Sequence, residues 1–160
     1  LVRNIDHNGV RDRVIAHQGA LSNQPGEIEI KTIAGREEYS SLGKLEHPSV
    51  QGAAFQLEKV TVSTMDSLVE HYGLSPAFIK VDVEGLEHLV IDGGAGVIEQ
   101  FRPVILSELS DRLLRANGSS GLEVVKRLES FGYRVQDPLR PAAAPGSREF
   151  GDILCLPKSH

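Results

Sequence analysis

Cysteine is almost absent from this sequence: Cys155 is the only one in 160 residues. A lone cysteine excludes an internal disulfide framework and any zinc cluster built on thiolates, and a reducing, cytoplasmic setting is the simplest expectation. Long apolar runs are lacking too. No stretch approaches the roughly 20 residues of a membrane span, and the start shows neither a signal peptide nor a methionine. The chain therefore reads as soluble, with no membrane partner, and as cut at its N-terminus. There is no basic excess either: net charge is −5 and the Lys and Arg residues are scattered. Without a basic stripe to follow a phosphate backbone, nucleic acid is not an expected partner. No internal repeat occurs. What is present is a chain of 160 residues with 40% apolar side chains, enough for one domain, residues 1–160, with a genuine core.

Along the chain, apolar spacing alternates between strand and helix periods. Leu1–Asn8 reads as a helix end stopped by Gly9. Val14–Leu21 is a strand candidate, Asn23–Gly26 a turn, and Glu27–Thr32 a second extended stretch. Ala34–Gln51 is polar and Gly/Ser-rich, an expected long excursion. Phe55–Val62 alternates as a strand does, and Thr64 then caps a helix through Tyr72, with Asp66 in its first turn. Phe78–Val83 is a strand, Leu86 to about Phe101 a helix, and Val104–Leu109 the next strand after Arg102 and Pro103. Ser110 and Asp111 read as a helix cap. A helix through Leu122–Phe131 ends at Gly132. Tyr133–Gln136 and Ile153–Leu156 are strands on either side of a Pro- and Ala-rich loop. Such alternation predicts an α/β domain with a mainly parallel sheet covered by helices on both faces.

In that setting FIKVDVEG, Phe78–Gly85, is unusual. Parallel strands are normally near-continuous Val, Ile and Leu, yet Lys80, Asp82 and Glu84 alternate here and so would share one face. Charge is expected only where the C-terminal end of a strand opens into a ligand crevice. Asp82 and Glu84 sit at that end, and Glu108 ends the following strand at the same level if the two are neighbours. The three carboxylates would then converge, with Lys80 one step deeper to balance them. The plainer alternative is a structural Lys80–Asp82 ion pair, with Glu84 starting a helix. VIDGGAG, Val90–Gly96, imitates a nucleotide-binding glycine turn. Too few residues separate Gly96 from Pro103 for the crossover helix such a turn needs, roughly ten or more. Gly93, Gly94 and Gly96 therefore read as a helix weak point or close-packing site.

KVDVEGLE, Lys80–Glu87, resembles the Lys-x-Asp-x-Glu-Gly-x-Glu signature of the FkbM-type S-adenosylmethionine-dependent methyltransferases. The likeness extends to NIDHNG (Asn4–Gly9), GALSNQPGE (Gly19–Glu27), TMDSL (Thr64–Leu68), RPVILSE (Arg102–Glu108), FGYRV (Phe131–Val135) and DILCLP (Asp152–Pro157), in the family's order and spacing. It covers nearly the whole chain. The resemblance implies a Rossmann-like class I methyltransferase sheet, mainly parallel with a C-terminal antiparallel hairpin, and methylation of a sugar or natural-product hydroxyl. It implies that Ala20 and Leu21 pass the adenine, and that Asp82 faces the cofactor's methionine end and the acceptor. The family's first two strands, with the glycine turn and the ribose acid, would precede Leu1.

Methyl transfer from a sulfonium is an in-line displacement, to which a protein contributes orientation and removal of the acceptor's proton. Asp82, Glu84 and Glu108 can act as a base with hydrogen-bond acceptors. They are also hard oxygen ligands of the kind Mg²⁺ prefers, and both options stand at this point. His88 follows the signature and can reach the pocket or serve the structure. The other histidines, His7, His17, His47, His71 and His160, form no ligand spacing. Two functional classes follow: a methyltransferase acting on a small-molecule or glycan acceptor, or a non-catalytic remnant or interaction module retaining the C-terminal half of the fold. Lys80, Asp82, Glu84, Gly85 and Glu108 favour the first, because a scaffold has no physical reason to keep charge in a core strand.

Overall fold

A computed structural model of the protein describes residues 1–32, 56–146 and 149–159. The expected excursion at Ala34–Gln51 lies outside the described residues. Helix α1 (Val2–His7) ends as anticipated, with Gly9 at φ +61°. The strand expected from Val14 shrinks to β1, Ala20–Leu21. Val14 and Ile15 are exposed; their strand propensity comes to nothing without neighbours to pack on. β2 (Gly26–Thr32) and β3 (Gln56–Ser63) pair antiparallel and β1 lies parallel to β3, giving the order β1-β3-β2. Helix α2 (Met65–Tyr72) begins on a capping box: Thr64 Oγ1 accepts from Ser67 N at 3.1 Å, and Ser67 Oγ accepts from Thr64 N at 3.2 Å.

A second sheet has the order β4-β5-β7-β6, from β4 (Phe78–Val81), β5 (Val104–Ser110), β6 (Tyr133–Gln136) and β7 (Phe150–Pro157). Here β4 and β5 run parallel, whereas β7 is antiparallel to both β5 and β6. The expectation of a mainly parallel sheet is thus corrected to two mixed sheets. The parallel pair β4–β5 is joined by a helical crossover, as parallel neighbours require, and β6–β7 forms the expected closing hairpin.

Among the described residues, the helices packed in the core against this sheet lie on one face rather than both. Along β5 burial alternates, and Ile105, Ser107 and Leu109 point inward. With Ile153 and Cys155 of β7, the apolar residues among them form one core together with Val90 and Ile91 of α3 (Glu87–Asp92), Leu114 of α5 (Asp111–Ala116), and Val124, Val125 and Leu128 of α6 (Gly121–Ser130). The opposite face, bearing Leu106, Glu108, Asp152 and Leu154, is only half-buried. Burial pushes the Cys155 thiol up to about 12, so it is an inert core residue. Among the described residues no helix is long and apolar enough to cross a membrane.

The helix expected from Leu86 to about Phe101 is in fact two, α3 and α4 (Ala95–Phe101). The break falls at the glycines, which are close-packing sites. A Cβ on Gly93 would lie 2.1 Å from the Ser22 carbonyl oxygen, and one on Gly94 2.7 Å from Met65 Sδ. Helix α4 has no capping side chain of its own. Asp66 of α2 supplies one, Oδ2 accepting from Gly96 N at 3.1 Å and Oδ1 from Val97 N at 2.8 Å. These contacts fasten β1 and α2 to the helices that follow β4. Ser110 occupies the start of α5 but makes no capping bond. Asp111 instead reaches α6, where its Oδ1 accepts from Gly121 N at 2.9 Å. That bond, with the Arg115 guanidinium beside it, holds its carboxyl below the usual value.

Candidate functional site

β4 is an edge strand among the described residues, and its side chains are less buried than a core strand's. Only Val81 is buried. The side chains of Lys80 and Asp82 are 52% and 43% exposed, and Lys80 Nζ lies 2.6 Å from Asp82 Oδ2. That hydrogen bond is the main reason the Lys80 ammonium is held above its ordinary value, against partial desolvation; the charges of Asp82, Glu108 and Asp152 add to it. The ion pair of the plainer alternative is therefore present, and an exposed pair of this kind contributes about 0–1 kcal/mol to stability.

Glu108 of the neighbouring strand lies close to this pair. Its carboxyl is raised above the usual value, first by desolvation, then by the negative charges of Asp82 and Asp152; Lys80 opposes this and Glu84 reinforces it. The structure thus brings Lys80, Asp82, Glu84 and Glu108 within electrostatic reach of one another at the C-terminal end of β4 and β5. It adds Asp152, which sequence reasoning missed, directly across from Glu108 on β7. Like charges opposite one another on neighbouring strands are destabilising, so packing gives no reason for this pair. The one available signal was the alternation of Asp152 with Leu154 and Leu156. The β5–β7 register that makes it meaningful cannot be read from spacing.

Glu84 reaches the cluster differently from expectation. β4 ends at Val81, so alternation does not continue to Glu84. Glu84 at φ +53° and Gly85 at φ +93° form a left-handed turn into α3. Gly85 is required there both by its φ and by space, since a Cβ would lie 2.6 Å from Leu113 Cβ. Among the described residues no group of three His, Cys, Asp or Glu side chains is placed to hold a metal ion. Asp82, Glu84 and Glu108 therefore do not fit Mg²⁺ as a ligand set. Carboxylates so placed can serve as a base and as hydrogen-bond acceptors.

Leu21 lines a cleft of about 280 Å³ with Ser22, Ile28, Val62, Leu86 and Leu89. Ala20 stands one residue behind, outside the lining. Leu86 and Leu89 follow directly on the Glu84–Gly85 turn, so the cleft and the carboxylates share the start of α3. His88 faces elsewhere, into a cleft lined by Asp92, Glu123 and Arg127.

The family model of the methyltransferase FkbM domain matches residues 5–135. Among solved structures, the chain is similar to the crystal structure of methyltransferase FkbM from Methylobacillus flagellatus KT, with a TM-score of 0.55 and 15% identity, over 96% of this chain and 31% of that one. At that identity the likeness concerns the fold, and the chain spans under a third of the length of that protein. No curated protein matches it significantly.

Proposed function

The chain belongs to the FkbM methyltransferase domain family, and from that premise we propose that the protein transfers a methyl group from S-adenosylmethionine to a hydroxyl of a sugar or natural product. The observation supporting an active rather than vestigial site is Glu108, a carboxylate with raised proton affinity facing Asp82, Glu84 and Asp152. A base is most effective when its pKa approaches the working pH, and desolvation, followed by crowding by like charge, moves Glu108 in that direction.

Residues of this chain fit the cofactor in two places. The apolar side chains lining the Leu21 cleft suit the faces of a purine ring. Asp82, oriented by the hydrogen bond from Lys80, suits the ammonium of an amino-acid end. When bound, S-adenosylmethionine supplies an electrophilic methyl carbon on a sulfonium. Glu108 would take the proton of the acceptor hydroxyl, whose oxygen is the nucleophile for that methyl carbon. Glu84, exposed on the turn, accepts a hydrogen bond from a neighbouring hydroxyl of the acceptor. Lys80 limits the repulsion that so many carboxylates would otherwise exert.

The test uses the full-length protein, methyl-tritiated S-adenosylmethionine and a panel of glycosides and polyol natural products. Transfer of label to one acceptor class, lost in Asp82→Asn at an unchanged melting temperature, is the expected result. Equal transfer by Asp82→Asn would remove Asp82 from the mechanism, and absence of transfer to every hydroxyl acceptor, with label reaching a nitrogen or carbon acceptor, would overturn the O-methylation reading.

A further inference from the structure

Glu87 closes the KVDVEGLE segment and has no part in the chemistry above, yet it is only 2% exposed. Its Oε1 accepts from the N–H of Gly85 at 3.0 Å, and its Oε2 has no partner among the described residues. Burial pushes its carboxyl above the usual value; the backbone N–H groups of Gly85, Glu87 and Val83 work against that, and the charge of Glu84 adds to it. Packing does not explain the residue, because an apolar side chain of the same length would fill the space without desolvating a carboxylate. A plain first-turn acid does not explain it either, since favourable interaction with a helix start needs no burial.

What the carboxylate does hold is the turn. Glu84 and Gly85 both adopt left-handed backbone angles, a conformation that Glu84 does not favour by itself. Leu113 of α5 packs closely against Gly85, and Glu87 accepts from the Gly85 amide. Asp82 enters this turn and Glu84 is part of it, so the direction of both depends on its shape. We propose that Glu87 is a positioning residue: its buried carboxylate fixes the Glu84–Gly85 turn and thereby aims Asp82 and Glu84 at the cofactor's amino-acid end and the acceptor. This rests on the methyltransferase reading above.

The experiment titrates S-adenosylhomocysteine into the full-length wild type, Glu87→Gln and Glu87→Met by calorimetry, alongside their melting curves and the exchange rate of the Gly85 amide in the wild type by NMR. Glu87→Gln retains an oxygen acceptor and is expected to bind within about threefold of wild type. Glu87→Met loses it: affinity should fall about tenfold or more while the melting temperature holds or rises. Wild-type affinity in a folded Glu87→Met overturns the proposal, as does a parallel fall of affinity and melting temperature in both variants. Should Glu87→Met fail to fold, the Gly85 amide decides. Protection well beyond that of an exposed turn supports the latch, and exchange at the free-peptide rate overturns it. A wild type that does not bind S-adenosylhomocysteine at all refutes the methyltransferase reading itself, whatever the Gly85 amide does.

Discussion

Replacing Asp66 by alanine should loosen the join between the two halves of the molecule. Its carboxylate accepts from Gly96 N at 3.1 Å and from Val97 N at 2.8 Å, and α4 has no other side-chain cap. Removing a cap costs about 0.5–2 kcal/mol, and here two amides lose a charged acceptor together. Asp66 is also the acid in the first turn of α2, which adds about 0.3–1 kcal/mol. Water can reach Gly96 N, so the upper limits do not simply sum. The expected loss is about 2–3 kcal/mol for Asp66→Ala and about 1 kcal/mol for Asp66→Asn, which retains one acceptor. Urea titration followed by circular dichroism measures this, with the m-value unchanged if the unfolded state is unaffected. A loss below about 0.5 kcal/mol for Asp66→Ala would show that the α2–α4 bond is not a significant part of the join.

For Asp82→Asn, stability should fall by less than about 1 kcal/mol because its pair with Lys80 is exposed, while methyl transfer drops by about 10²–10⁴; comparable losses in both would mark a structural residue. In the pH–rate profile the acidic limb should lie above the usual carboxylate range of about 4.3, because the proposed base, Glu108, would have to be deprotonated to act and its proton affinity is raised. Asp152→Asn removes a negative neighbour and should shift that limb to lower pH, whereas Glu108→Gln should abolish it; a limb unmoved by Asp152→Asn would separate the two residues.

Local chemistry was well legible in the sequence. Thr64 announced a helix start and Asp66 an acid in its first turn, because a cap is decided within a few residues. The glycines at Gly93, Gly94 and Gly96 were identifiable as a packing point, although only the fold shows that Ser22, Met65 and Asp66 are what press against them. Strand pairing was much less legible. Val14 and Ile15 have strand propensity but pair with no strand among the described residues, and the β5–β7 register that sets Asp152 against Glu108 is a long-range property. At the candidate site, the proximity of Lys80, Asp82 and Glu108 was legible because β4 and β5 are neighbours, whereas the geometry at Glu84 was not. A period of two extrapolates past Val81 only while the backbone stays extended, and a positive φ ends that. The burial of Glu87 left no trace, since an acid at a helix start reads as an ordinary favourable charge.

The central claim is that S-adenosylmethionine lies between the Leu21 cleft and the C-terminal end of β4. Ultraviolet cross-linking of the full-length protein tests it directly, with the cofactor tritiated either on the adenine or on the methyl group and the labelled peptides mapped. Adenine label should appear in the peptide covering residues 19–28 and methyl label in that covering residues 78–89, both suppressed by excess S-adenosylhomocysteine. Suppressible labelling confined to other peptides, or no suppressible labelling at all, would contradict the account.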